Sequence, residues 1–413
     1  MNLAATRPPP PVRTLVALCV LNHVALSGAR AALALQALRL GVPSVGLALM
    51  LAPFALASTL AALPLGRGID RVGARVPALA GMALMAGALA AAAWHPGIGW
   101  MTAAAGLIGL GYTASLIALQ SELARERTAS ERAAAFAGFA IGTAASGGLG
   151  PFLAGQCMAR LGAHWAFGAL ALVSIAAACG GALNARRLLQ RSAPAAPATP
   201  SRGLSLKGLG GLRRLMLADL LMAFAWNANG FVVPLVGQRE GWTADTVGNL
   251  LGCFGAAVVL VRALPGASRG RASGWRAIAH ALLASGVVLA LLPLLTAIPA
   301  PYVLEGVFGC GLGNSLPSVL ALLEQHTPPG RRAEVLGLRQ GVLGLGAATL
   351  PTALGALVSA AGLVGALLGF GGALVAAGAT IAPRVSARTS ASARRPPSPA
   401  GTRPPDGARR CPR

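Results

Sequence analysis

A chain of 413 residues that is 55% hydrophobic and only 11% charged has too little polar surface for a water-facing globule, since soluble domains carry about 25% charged residues. With a mean hydropathy of +0.67, the composition predicts a membrane protein. The net charge of +23 does not imply nucleic-acid binding, because the arginines fall in short gaps between apolar runs and in the tail, without the aromatic interleaving of a base-stacking groove.

A membrane-crossing helix needs about 20 mostly apolar residues. Such runs are predicted near 14–38, 43–65, 77–95, 98–121, 133–156 and 165–185, and again near 214–237, 244–264, 276–297, 300–323, 335–358 and 361–382. They are too long for barrel strands and lack period-two alternation. The predicted fold is therefore all-α, with twelve spanning helices that satisfy their backbone groups internally. Residues 186–213, which include SAPAAPATPSRG, have no periodic apolar face and read as a cytoplasmic linker. The chain divides into a stub (1–13), a six-helix bundle (14–185), this linker (186–213), a second six-helix bundle (214–383) and a basic tail (384–413) expected to be disordered.

Positive charge sorts the gaps. Arg67, Arg71 and Arg75 lie in the second, Arg125, Arg127 and Arg132 in the fourth, Arg269, Arg271 and Arg276 in the eighth, and Arg331 and Arg332 in the tenth. The odd-numbered gaps hold only Arg39, Arg160 and Arg239. This asymmetry predicts that both termini are cytoplasmic.

Polar residues inside spans are costly and are functional candidates by default. In the first span Asn22, His23 and Arg30 interrupt LVALCVLNHVALSGARAALALQAL, and His23 and Arg30, seven residues apart, share a helix face. Arg30 is placed either to line a cavity and meet an anion, or to snorkel outward. His23 is the natural group to titrate near neutral pH, or else a hydrogen-bonded core residue. Tyr112 is a further cavity candidate in the fourth span. In the seventh, Asp219 is a candidate proton carrier or a partner of Arg213 or Arg214. Trp226, Asn227 and Asn229 are candidates to line the cavity, and Gly230 and Pro234 predict a broken helix there. Glu305 opens the tenth span as either a coupling proton carrier or a hydrated interfacial carboxylate, with Asn314 one face onward. Gln340 is a cavity candidate in the eleventh, and Arg339 is expected at its inner mouth.

No enzyme constellation is present: HExxH, a phosphate-cradling GxxxxGK[ST] and paired carboxylates within one span are all missing. The six cysteines are scattered singly, without metal spacing. No catalytic residue, cofactor or metal is expected.

The halves repeat. GLIGLGYTASL at 106–116 returns as GVFGCGLGNSL at 306–316, so that Gly106, Gly109, Gly111 and Ser115 match Gly306, Gly309, Gly311 and Ser315. Val45-Gly46 likewise returns as Val247-Gly248. Two bundles in the same order imply a parallel repeat with a solute site between them.

Between the second and third spans lies GRGIDRVGAR. Topology accounts for its arginines but not for Asp70 or the spaced glycines. A carboxylate at a helix end can pair with arginines in one state and release them in another, or merely balance their charge. Gly66, Asp70, Arg71, Gly73 and Arg75 resemble the loop signature of the major facilitator superfamily. In the fifth span Gly147, Gly150, Pro151 and Gly155 resemble that family's Gly-Pro helix-5 motif, with Ala154 in place of one glycine. Two departures stand out: Arg271 replaces the acid in the second half's loop, and Ala105 occupies the arginine position of proton-driven exporters.

The resemblance implies a monomeric secondary active transporter in a bacterial inner membrane, moving a small organic solute by rocker-switch alternating access. Efflux or proton coupling is the leading expectation, with Gly66, Asp70, Arg71, Gly73 and Arg75 as half of a gate. A solute–proton importer and a non-transporting sensor are the rivals. The expected partners are a small molecule, protons and membrane lipid.

Overall fold

The computed structural model describes residues 12–95, 97–124, 129–185, 210–264, 271–313, 315–327 and 332–393. The helices of the first half are α1 (Val12–Arg39), α2 (Ser44–Val72), α3 (Arg75–Trp94), α4 (Ile98–Ala124), α5 (Ala129–Arg160) and α6 (Ala163–Leu183). Those of the second half are α7 (Gly210–Glu240), α8 (Ala244–Ala263), α9 (Arg271–Leu291), α10 (Ala300–Gly313), α11 (Ser315–His326) and α12 (Arg332–Ala393). Among the described residues, eleven helical runs are long and apolar enough to cross a membrane. The last, Val342–Ile381, has 40 residues, about twice one crossing. It folds back at Gly362, whose φ of 71° lies where side-chain-bearing residues are strained. Twelve crossings result, and the chain returns to the side on which α1 begins. Large apolar side chains such as Leu60, Leu172 and Val303 are exposed on the outside, as a lipid-facing surface requires and a water-facing one does not.

Three local expectations are corrected. Residues Gly66–Arg71 are not loop but the last turns of α2, so only Gly73 and Ala74 separate α2 from α3. The seventh span is unbroken: α7 runs through Gly230 and Pro234. A proline ring clashes with the carbonyl four residues before it, and here that carbonyl belongs to Gly230, whose backbone can tilt to make room. Residues 384–393, expected to be disordered, continue α12, since extending an existing helix costs far less than nucleating one. The linker at 186–209, the stub at 1–11 and the tail beyond Ala393 lie outside the described residues.

The repeated glycines have a packing cause. A Cβ on Gly109 would run into the carbonyl oxygen of Phe54, and one on Gly309 into that of Phe254. Both pairs bring the tenth-span or fourth-span helix against its neighbour's backbone, α4 on α2 and α10 on α8, at positions two hundred residues apart. The turns after α1 and α7 match as well, with Gly41 at φ 74° and Gly241 at φ 69°. Within the first half α1 packs on α4, α5 and α6; between the halves the main contacts are α5 on α8 and α2 on α12.

Candidate functional site

Between α1 and α5 of the first half and α7 and α8 of the second lies a small, partly open cavity of about 100 Å³. The first half contributes His23, Ser27, Arg30, Gly147 and Pro151 to its wall, and the second contributes Trp226, Asn227, Asn229, Leu251 and Phe254. Polar side chains from mid-helix positions of two otherwise apolar helices therefore converge on one space.

Arg30 spans it. Its Nη2 donates to Asn227 Oδ1 at 3.2 Å, across 197 residues of sequence and from one half to the other. Asn227 is held in turn by its Nδ2, which donates to the Ala223 carbonyl at 2.8 Å. Arg30 thus points inward and does not snorkel. His23 Nδ1 lies 2.7 Å from Ser146 Oγ, and its ring sits 5.8 Å from that of Tyr112. Asn22, one residue before His23 and about 100° around the helix, turns away from the cavity: its Nδ2 donates to Ser115 Oγ at 2.5 Å, buried between α1 and α4. Trp226 meets Phe254 edge to face with centroids 5.0 Å apart, giving the cavity an aromatic wall.

Behind the cavity Asn229 Nδ2 donates to Glu305 Oε2 at 2.8 Å. Glu305 is 0% exposed, which replaces the expectation of a hydrated interfacial carboxylate. The other oxygens of the pair, Asn229 Oδ1 and Glu305 Oε1, are buried without a hydrogen-bond partner.

Asp219 lies elsewhere, toward the termini. It forms a two-pronged ion pair with Arg339, Nε to Oδ2 at 2.6 Å and Nη2 to Oδ1 at 3.2 Å. The expected partners Arg213 and Arg214 do not make this contact; Arg214 instead donates to the Thr380 carbonyl and stacks over Trp275. Two arginines on neighbouring turns were plausible by spacing, but helix rotation aims the acid at α12.

The halves meet closely on the side opposite the termini. Cβ atoms on Gly155 and Gly148 would lie 2.8 Å and 2.9 Å from the Cα atoms of Gly248 and Gly255, so α5 and α8 touch backbone to backbone. Gln156 Nε2 donates to Asn249 Oδ1 at 2.8 Å, Gln238 Nε2 to the Leu38 carbonyl at 3.1 Å, and Ser44 meets Ser359 at 3.2 Å. The helix-5 motif therefore divides its work: Gly150 packs on α1 at Val24 and Gly28, Gly147 lies beside His23, and Gly155 and Pro151 face Gly248.

Toward the termini, Arg262 joins the halves. It was missed in the sequence, where an arginine at a helix end reads as a topology signal. In the first loop motif Gly73 is buried with φ 83° and Arg75 is exposed at the start of α3. The side chains of Asp70, Arg71 and Gln340, and the whole of Asn314, lie outside the described residues.

The sequence profile of the Major Facilitator Superfamily matches residues 15–315. No curated protein sequence matches the chain. Among solved structures, a peptide transporter POT in complex with sulfate superposes with a TM-score of 0.73 at 14% identity, covering 93% of this chain and 98% of that one. A POT family transporter in complex with 5-aminolevulinic acid gives 0.72 at 12% identity, covering 91% and 96%. The human organic anion transporter MFSD10 (TETRAN) gives 0.64 at 16% identity, covering 90% and 100%. At these identities the likeness is one of fold.

Proposed function

The chain belongs to the Major Facilitator Superfamily and is a multi-pass membrane transporter; from that premise we propose that it moves a small organic solute through the central cavity by rocker-switch alternating access. The observation that carries the reading is the Arg30–Asn227 hydrogen bond, a polar contact between the two halves at the cavity itself. A solute that takes over this contact changes what holds the halves together, and a ligand shifts a conformational equilibrium only through such differential interactions. The backbone contacts of α5 with α8 supply the closed side of the rocker, and Gly66, Asp70, Arg71, Gly73 and Arg75, at the α2–α3 junction, belong to the other. The arginine-rich gaps favour cytoplasmic termini, and the proposal takes the protein as a monomer in a bacterial inner membrane.

Transport is coupled to protons through Glu305. The Asn229–Glu305 pair retains one unpartnered acceptor on each residue, and buried acceptors without donors are costly. One proton on Glu305 supplies the missing donor, and Asn229, which reaches the cavity wall, links that proton to the solute. His23, bonded to Ser146 in the cavity, is the second candidate on this route. Export is the leading direction, supported by the resemblance of the helix-5 glycines to the antiporter motif; import by symport is the rival.

Reconstitution in liposomes with an internal pH dye tests the proposal. A panel of organic solutes is added with a pH gradient of either sign. Solute-dependent proton flux is expected, and its sign assigns export or import. Flux that survives both Arg30→Ala and Glu305→Gln undiminished overturns the site.

A further inference from the structure

We propose that the solute is a monoanionic organic acid whose carboxylate binds Arg30 and whose apolar body lies against Trp226 and Phe254. The inference rests on the transport reading of the same cavity and names its substrate class.

Among the described residues Arg30 is a cavity-lining cation without a countercharge. Its hydrogen bond among the described residues goes to a neutral amide, and no carboxylate among them pairs with it. Two acids of the second half are committed elsewhere, Glu305 to Asn229 and Asp219 to Arg339. Nor does an acid among the described residues contribute to the cavity wall. A guanidinium removed from bulk water is stabilised by an opposite charge in a fork geometry, and it has five N–H donors to offer. A single Arg30 with one donor engaged leaves a planar fork that matches one carboxylate.

The hydrogen bonds around Asn227 keep that fork poised. Because Nδ2 of Asn227 is tied to the Ala223 carbonyl, its Oδ1 is fixed toward Arg30. A carboxylate replaces this neutral acceptor with a charged one on the same donor, so the exchange favours the anion. The rest of the wall sets the body of the molecule: Trp226 and Phe254 form an edge-to-face pair, with Leu26 and Leu251 beside them. Such a surface takes an aryl or branched alkyl group, and among the described residues no second arginine or lysine lines the cavity to hold a dianion.

A charge series on the purified full-length protein tests this. The probes are 3-phenylpropionate, 3-phenylpropionamide and 3-phenylpropylamine, with benzoate and isovalerate as shorter acids, read by thermal stabilisation in detergent. The acids are expected to stabilise the protein at concentrations at least tenfold below the amide, and the amine not at all. Arg30→Gln is expected to erase that difference, and Arg30→Lys to weaken acid binding about tenfold while keeping the preference. Equal stabilisation by the amide or the amine, or none by any of the acids, overturns the inference even if the variants do not fold. Acid binding that depends on Arg30 without flux in liposomes would remove the transport reading and leave this one. Flux of the amine unchanged by Arg30→Gln would do the reverse.

Discussion

Arg262, in the last turn of α8, donates from Nη1 to the carbonyl oxygen of Ala140 in α5 at 2.9 Å, so a side chain of the second half is bonded to the backbone of the first. Its Nε donates at 3.1 Å to the Gly313 carbonyl, and its guanidinium lies 5.9 Å from the centre of the Trp226 ring. The Gly313 carbonyl needs such a donor. The residue four positions on is Pro317, which has no N–H to offer. Arg262 fills this acceptor, and the same guanidinium then reaches across to α5.

Removing this clamp should open the cavity from the side of the termini. In a cysteine-free background carrying Ser27→Cys, Arg262→Gln is expected to raise labelling by a membrane-impermeant thiol reagent several-fold from that side. Arg262→Lys, which keeps one charged donor but not the fork, should fall between the two. Unchanged labelling in Arg262→Gln would show that the clamp holds nothing shut.

The opposite side is closed by absence of side chains. A leucine at Gly155 must displace the Gly248 backbone, and overpacking of this kind costs about 1–3 kcal/mol, enough to shift a two-state balance about 5- to 150-fold. Gly155→Leu and Gly248→Leu should therefore expose Ser27→Cys to reagent from the side away from the termini. Gly87→Leu, at a position with open space around it, is the control and should leave access as in the parent.

Much of this arrangement was legible before the structure, and what was not has physical reasons. Helix number follows from length and hydropathy, and the repeat from glycines that must stay small where Gly109 and Gly309 meet Phe54 and Phe254. Arg30 and Asn227 stood out because polar groups are rare inside spans. Their partnership did not, because α1 and α7 are apolar on most faces and the sequence carries no signal of helix rotation. Asn22 shows the consequence: one residue from His23, it is bonded to α4 instead of lining the cavity. The broken helix expected at Gly230 and Pro234 does not occur, because α7 runs through both and a glycine four residues before the proline leaves room for its ring.

Asp219 and Arg339 should be structural. Their side chains are 8% and 11% exposed, and breaking a buried pair by neutralising one partner costs about 3–5 kcal/mol. Asp219→Asn and Arg339→Gln are each expected to lower the thermal midpoint sharply, and the double variant to recover most of the loss. Proton-coupled flux should persist in the double variant, which separates this pair from the coupling route. Loss of coupling with stability restored would instead return Asp219 to the list of proton carriers.

Glu305 makes the opposite prediction. Glu305→Gln keeps the size of the side chain and its bond to Asn229, and its amide group supplies a permanent donor where the acid carries a removable proton. The variant should fold, with a thermal midpoint no lower than that of the parent. It should also exchange labelled solute across the membrane at equilibrium, because exchange needs binding and rocking but no net proton movement. Flux driven by a pH gradient should fall at least tenfold. Asn229→Leu removes the link between acid and cavity and leaves Glu305 without its donor, so it is expected to lose both exchange and gradient-driven flux. If Glu305→Gln loses exchange together with gradient-driven flux while remaining folded, Glu305 serves the shape of the site and the proton travels by another group, with His23 the next to test.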